Sequence, residues 1–392
     1  MSHSYDRVLK EVRDTLLPLL EEGISLDEQK QVIVYLLSPY FVNQDILNEF
    51  AVDSLAPEAV NLVRINDNAW TKKMFPKVLA EYQTAVNLNS TSCFAGCASW
   101  HNEIRHASSE YVSAMNLNVD LTGLSLEDYK YVVFRNIGAL IEANIQPYLR
   151  ELLLQNRICR RKADPTKNLK TMKLGVVVNE LYQCSKYNEF FAPLPWGIKL
   201  HQWRNMAQHH QTRVEDDRII GTYKQGDKEK EIVLTRKELF DVLKRISSIL
   251  LVMKSVYSIF IIDHVYDLQP YITNTTNIRD DIKVFHMASA FATQGFDLQD
   301  ISIEEKTITV ILKDITPLPE NENWLDYKRK RIIHTAQLIC AIRSYFPADI
   351  IKIEHFDRQD NLRCKIMGKG SDCETDEAMR LGGIPWDKLE IS

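Results

Sequence analysis

Along most of the first two thirds of the chain, apolar side chains recur every three or four residues, the period of a helix that buries one face. Val8, Leu9, Val12, Leu16 and Leu19 make the first stripe, and Val32, Leu36 and Leu37 the next. Pro57, Pro76 and the polar stretch 87–90 predict breaks, with a long helix over 92–115 after them. Residues 1–114 read as a helical N-terminal region whose role the pattern does not reveal.

Ser125 with Asp128 three positions on is a capping-box-like start. It opens a long helix whose stripe is Val132, Ile137, Leu140, Ile141, Ile145, Leu149 and Leu153. This helix is expected to end near Arg157, Arg160, Arg161 and Lys162, before Pro165. A second helix is predicted over 168–184, with Leu174, Val177, Val178 and Leu181 inward, and a short one over 198–210. The apolar runs 218–223 and 231–234 flank a Gly226 turn and predict a β-hairpin. Thr235 and Glu238 form another capping box, opening a helix to Asp263 lined by Leu239, Leu243, Ile246, Leu250, Met253, Tyr257 and Phe260. Beyond it the order is helix, two strands, helix, two strands, which predicts a small α+β domain over 271–392 with an acidic tail. The expected class is mainly α: a helical region (1–114), a helical domain with an inserted hairpin (115–270), and the α+β domain.

The most apolar run, 246–262, is interrupted by Ser247, Ser248, Lys254, Ser255 and Ser258, as in a buried amphipathic helix rather than a membrane span. The polar N-terminus does not read as a signal peptide. Seven scattered cysteines suit a reducing compartment. A cytoplasmic protein without membrane contact is expected. The formal charge is −5, from 53 acidic and 48 basic side chains. A sequence-independent nucleic-acid binder is usually basic, so any contact with RNA has to come from local patches.

One short segment carries chemistry: Trp203, Arg204, Asn205, Ala207 and His209, with His210 next. Arg-x-x-x-x-His spacing alone is weak, since Arg329 and His334 repeat it by chance on a helix where Lys328, Arg329, Lys330 and Arg331 read as a solvent face. Asn205 and His209 are four apart, so on a helix they share a face, which Arg204 can reach. Arginine presents a permanently charged fork to phosphate, and histidine moves protons near neutrality. With its helical surroundings, the segment resembles the signature of HEPN domains, over roughly residues 120–265. The resemblance implies a metal-independent endoribonuclease without cofactor, cutting RNA by attack of a 2′-OH on the adjacent phosphorus. Arg204, Asn205 and His209 would be the catalytic group. His210 and the basic run Arg157, Arg160, Arg161 and Lys162 would contact substrate, although a solvated helix end explains that run equally well. The resemblance further implies a homodimer that faces two motif helices, with residues 203–210 at its interface, a possible regulatory protein partner, and a bacterial defence or toxin role. A non-catalytic HEPN protein that binds RNA or scaffolds a complex is the alternative, and a purely structural Arg-His pair a third. The position two after His209 is Gln211, where family members silenced by nucleotidyl transfer carry Tyr, so that form of control is not expected. His201 is expected to be solvated. Cys93, Cys97 and His101 recur every four residues, but positions eight apart lie about 12 Å apart along a helix, so a core stripe is expected rather than a metal site.

Overall fold

The computed structural model describes the chain except for residues 1–4, 7, 11, 15–25, 52–53, 117–120, 227, 273–279, 317–323 and 376–382. Leu16 and Leu19 of the first predicted stripe, and part of the acidic tail, lie outside the described residues. The molecule is mainly helical with two small sheets. It divides into two compact units, one of Tyr40–Asn43 and Asn61–Ile278, the other of Met1–Pro39, Gln44–Val60 and Arg279–Ser392. This grouping cuts the chain elsewhere than the blocks 1–114, 115–270 and 271–392.

Residues 8–10 and 12–14 are helical, with Val8, Leu9 and Val12 buried as expected, and helices α1 (Leu26–Leu37), α2 (Gln44–Phe50) and α3 (Ala56–Asn66) follow. Next, α4 (Ala69–Asn116) runs through Pro76, where a break was expected, and kinks at Asn89, inside the polar stretch 87–90 where another was expected. Pro76 is on the solvent face, where water can satisfy the carbonyl its ring leaves free, while Met74, Phe75, Val78 and Leu79 are buried beside it. The Asn89 side chain accepts from the Ser92 N–H and so caps the second half, the helix expected from 92 on.

The helix expected from Ser125 is α5 (Leu126–Ala139), a π-helical turn (Leu140–Ile145) and α6 (Gln146–Cys159) in unbroken succession. Ser125 caps it by accepting from the Asp128 N–H. Val133 is buried where Val132 was expected to be, and Val132 is half-buried. Helix α7 (Leu174–Cys184) begins six residues later than predicted. Asn168 takes a left-handed φ of 60°, and Arg150 draws the carbonyls of Lys170 and Met172 away from any helical pattern. Helix α8 (Leu200–Gln208) is followed by three strands where two were expected, β1 (Thr212–Glu215), β2 (Arg218–Gln225) and β3 (Lys228–Leu234), all antiparallel. Helix α9 (Arg236–Asp263) carries the full Thr235–Glu238 capping box. It is long and apolar enough to cross a membrane, but Ile246, Ile249, Val252, Val256 and Ile259 are buried in the helical unit.

In the second unit, α10 (Asp280–Ala292) precedes β4 (Phe296–Glu304) and β5 (Thr307–Asp314), and α11 (Trp324–Tyr345) precedes β6 (Ile350–Phe356) and β7 (Leu362–Lys369). A two-residue β8 (Glu390–Ile391) completes a sheet ordered β4-β5-β6-β7-β8. β5 and β6 are parallel, which requires a crossover, and α11 supplies it. Arg331, expected on a solvent face, is buried. Its guanidinium grips Asp314 at 2.8 and 3.1 Å and lies 3.8 Å over the Phe296 ring, an arrangement that the i, i+3, i+4 pattern of α11 alone does not disclose.

Candidate functional site

Leu200, Trp203 and Met206, three apart, form the buried face of α8. Arg204, Asn205 and Gln208 are left on the other side. Close approach of α5 to α8 depends on small residues, since a Cβ added to Gly138 would sit 3.0 Å from the Cβ of Ala207. The helix stops at His209, whose N–H donates to the Asn205 carbonyl, and His210 takes a left-handed φ of 51°. Both imidazoles are exposed at the C-terminal end of the helix.

The main partner of Arg204 comes from the π-turn. Its Nε and Nη2 donate to the two carboxylate oxygens of Glu142 at 2.8 and 2.9 Å, a bidentate grip that fixes the guanidinium plane. Nη1 donates to Asn205 Oδ1 at 3.3 Å, and Gln208 Nε2 donates to the same Glu142. Both charged side chains remain partly exposed, so this pair contributes orientation more than stability.

Arg204, Asn205 and Glu142 open on a cleft of about 580 Å³. Arg150 and Gln146 of α6, residues 171–173, the start of α7, and His201 complete its wall. Three cations (Arg150, Lys173 and Arg204) face one carboxylate, so the cleft is cationic in an acidic chain. His201 corrects an expectation: it is only 9% exposed. Burial, with the Lys199 charge adding to it, pushes its pKa down to about 4, so the ring is neutral at neutral pH. Its Nε2 lies 3.1 Å from Gln202 Nε2, and its Nδ1 has no hydrogen-bond partner. Sequence reasoning missed His201, Arg150, Lys173 and Glu142, all of which lie outside the short motif or on its neutral-looking flank.

The basic run is engaged elsewhere. Arg157 and Arg160 each reach Glu180 at 2.6 Å, and Lys162 at 3.2 Å. Arg157 is buried and also donates to the Lys167 carbonyl, and hydrogen bonds from Arg157 lead the effects that hold the Glu180 carboxyl down at about 2. These three close the loop between α6 and α7. Arg161 is exposed, with φ 55°. Cys93 and Cys97 are buried, Cys97 donating to Glu151 at 3.2 Å, and His101 Nδ1 lies 3.3 Å from Tyr257 Oη.

Trp203, expected between two copies, is 0% exposed, with its ring edge-on to Trp196 at 6.1 Å. Most of the apolar stripe residues of α5, α6 and α9 are likewise buried within their own unit. Compared with family models, with curated proteins and with solved structures, the chain matches none.

Proposed function

We propose that the helical unit is a metal-independent endoribonuclease of the HEPN type. The observation that supports this reading is the placement of Arg204 and Asn205 together on the wall of a cationic cleft, on a helix whose exposed end carries His209 and His210. In the proposed reaction the 2′-oxygen attacks the adjacent phosphorus and the bond to the 5′-oxygen breaks. One imidazole takes the proton of the 2′-hydroxyl, and an imidazolium gives a proton to the departing 5′-oxygen. Arg204 stabilises the charge on the equatorial oxygens, and Asn205 orients its fork. One chain offers one His209, so the reading includes a homodimer that brings two such ends together through residues 208–210, with Trp203 behind the interface. It also carries the defence or toxin role and the regulatory partner that the family resemblance implies.

The test is cleavage of total RNA in excess EDTA by wild type, Arg204→Ala and His209→Ala. Wild type should yield 2′,3′-cyclic phosphate and 5′-hydroxyl ends, and each variant should lose at least about a hundredfold in rate. Undiminished cutting by His209→Ala ends the catalytic assignment. A stable monomer that cuts RNA ends the dimeric one. The second reading, a non-catalytic RNA-binding or scaffold protein, is favoured by Glu142, which already occupies the Arg204 fork. It predicts wild-type protein that retains RNA without cutting it.

A further inference from the structure

The cleft has a second wall that the proposed chemistry does not use. Helix α7 starts there, and Lys173 at its N-cap makes no side-chain cap bond. The first N–H groups of a helix have no acceptor within it and carry the positive end of its dipole. The Val176 and Val177 N–H groups turn back to the Lys173 carbonyl, which leaves those of Leu174 and Gly175 as the leading donors. Gly175 lacks the side chain that would close this approach: a Cβ there would stand 3.3 Å from His201 Cδ2. The His201 ring lines the cleft, nine-tenths buried, with its Cδ2 edge toward Gly175 and its buried Nδ1 without a hydrogen-bond partner. Arg150 orders residues 170–172 with two of its nitrogens, and its buried Nε is also unpartnered.

We propose that the start of α7, with Lys173, Arg150 and His201, is a phosphate subsite that holds the backbone of single-stranded nucleic acid one or more nucleotides from the bond at Arg204. The inference rests on the ribonuclease reading for what the bound strand is there to do, but the subsite stands or falls on binding alone. Lys173 supplies a point charge, the α7 N–H groups supply directed donors, His201 packs its Cδ2 edge against Gly175, and Arg150 holds the 170–172 turn in place. Among the described residues Glu142 is the only carboxylate that lines the cleft, and it is held by Arg204.

The probe is a labelled all-deoxy octanucleotide, which lacks the 2′-OH and cannot be cut, titrated into the full chain at fixed salt. Lys173→Glu should weaken binding at least tenfold and flatten its salt dependence. Gly175→Ala should weaken it severalfold with the salt slope unchanged, since it alters shape and not charge. Lys230→Glu, the same charge change at an exposed β3 position off the cleft, should leave binding near the wild-type value. Inorganic phosphate at millimolar concentration should compete with the octanucleotide in wild type and not in Lys173→Glu. Wild-type affinity in both Lys173→Glu and Gly175→Ala, each melting as wild type does, overturns the subsite. So does a loss in Lys230→Glu equal to that in Lys173→Glu, and so does binding of inorganic phosphate with none of the octanucleotide. Separately, wild type that leaves an all-ribose octanucleotide uncut, yet loses its hold on the deoxy probe when Lys173 is reversed, removes the ribonuclease reading and keeps the subsite.

Discussion

Glu142 sets the electrostatics of the cleft as the only carboxylate among its lining residues, and it is held by Arg204 and Gln208. Glu142→Gln removes that negative charge without removing bulk. RNA should then bind severalfold more tightly at low salt, and log K against log salt should steepen, both readable by fluorescence anisotropy. An unchanged slope would mean that the cleft does not hold the strand. Arg157 is a different kind of arginine: Arg157→Ala leaves Glu180 with Arg160 and Lys162 but removes the buried member of the cluster and its bond to the Lys167 carbonyl, and should destabilise the fold by about 1–3 kcal/mol, while RNA affinity stays as in wild type. Urea denaturation and the same binding assay separate the two effects. The motif was legible because its members lie within six positions. Glu142 was not, because it stands 62 positions before Arg204 and its charge reads as one more polar residue on a helix. Arg157 was misplaced for the same reason, with Glu180 23 positions away.

At the scale of elements, starts were easier to see than ends. Ser125, Thr235 and Glu238 announce α5 and α9 because a cap is chemistry between residues three apart. The late start of α7 was hidden because Arg150, from another helix, captures the carbonyls before it. Between α4 and α6 lies Glu151, fully buried, its carboxylate accepting from Tyr82, from Cys97 and from Gln155 at 2.6 Å. Burial pushes its pKa up to about 7, against hydrogen bonds that favour the charge. In the unfolded chain this carboxyl ionises near 4.3, so between about 4.3 and 7 the folded state holds more protons and stability falls as pH rises. Glu151→Gln should remove that fall. The difference in denaturant midpoint between wild type and Glu151→Gln should shift from pH 5 to pH 8 against wild type, and a difference that stays constant would refute the assignment.

Over the whole molecule, the order of helices and strands was readable apart from the short β1 and β8, and the partition was not. Periodicity reports which face of an element is buried, never against which element, so residues 1–39 and 44–60 could not be assigned to the unit of 279–392 from pattern alone. That unit holds His334 and His355, and burial leads the effects that push both imidazoles down to about 4. Unfolded histidine titrates near 6.5, so here the unfolded state holds more protons between about 4 and 6.5, and stability is lost as pH falls through that window. Replacing both with Gln should shrink the acid loss of stability followed by near-ultraviolet circular dichroism, and an acid limb that is unchanged would place the loss elsewhere.

The π-turn makes the candidate site depend on chain length as well as on side chains. Val133 and Leu152, both buried, lie nineteen positions apart over about five turns, where a regular helix uses about 18. The helix therefore holds one surplus residue, absorbed locally, and Glu142 sits on the loop it makes. Deleting exposed Ala143 would let the turn rewind to an ordinary helix with the flanking stripes still facing the core. The protein should keep its stability and lose the Glu142 grip on Arg204 with every charge retained, so the salt slope of binding should stay as in wild type, unlike that of Glu142→Gln. In a lineage of such chains, a single codon gained or lost there would be enough to fasten or release the guanidinium.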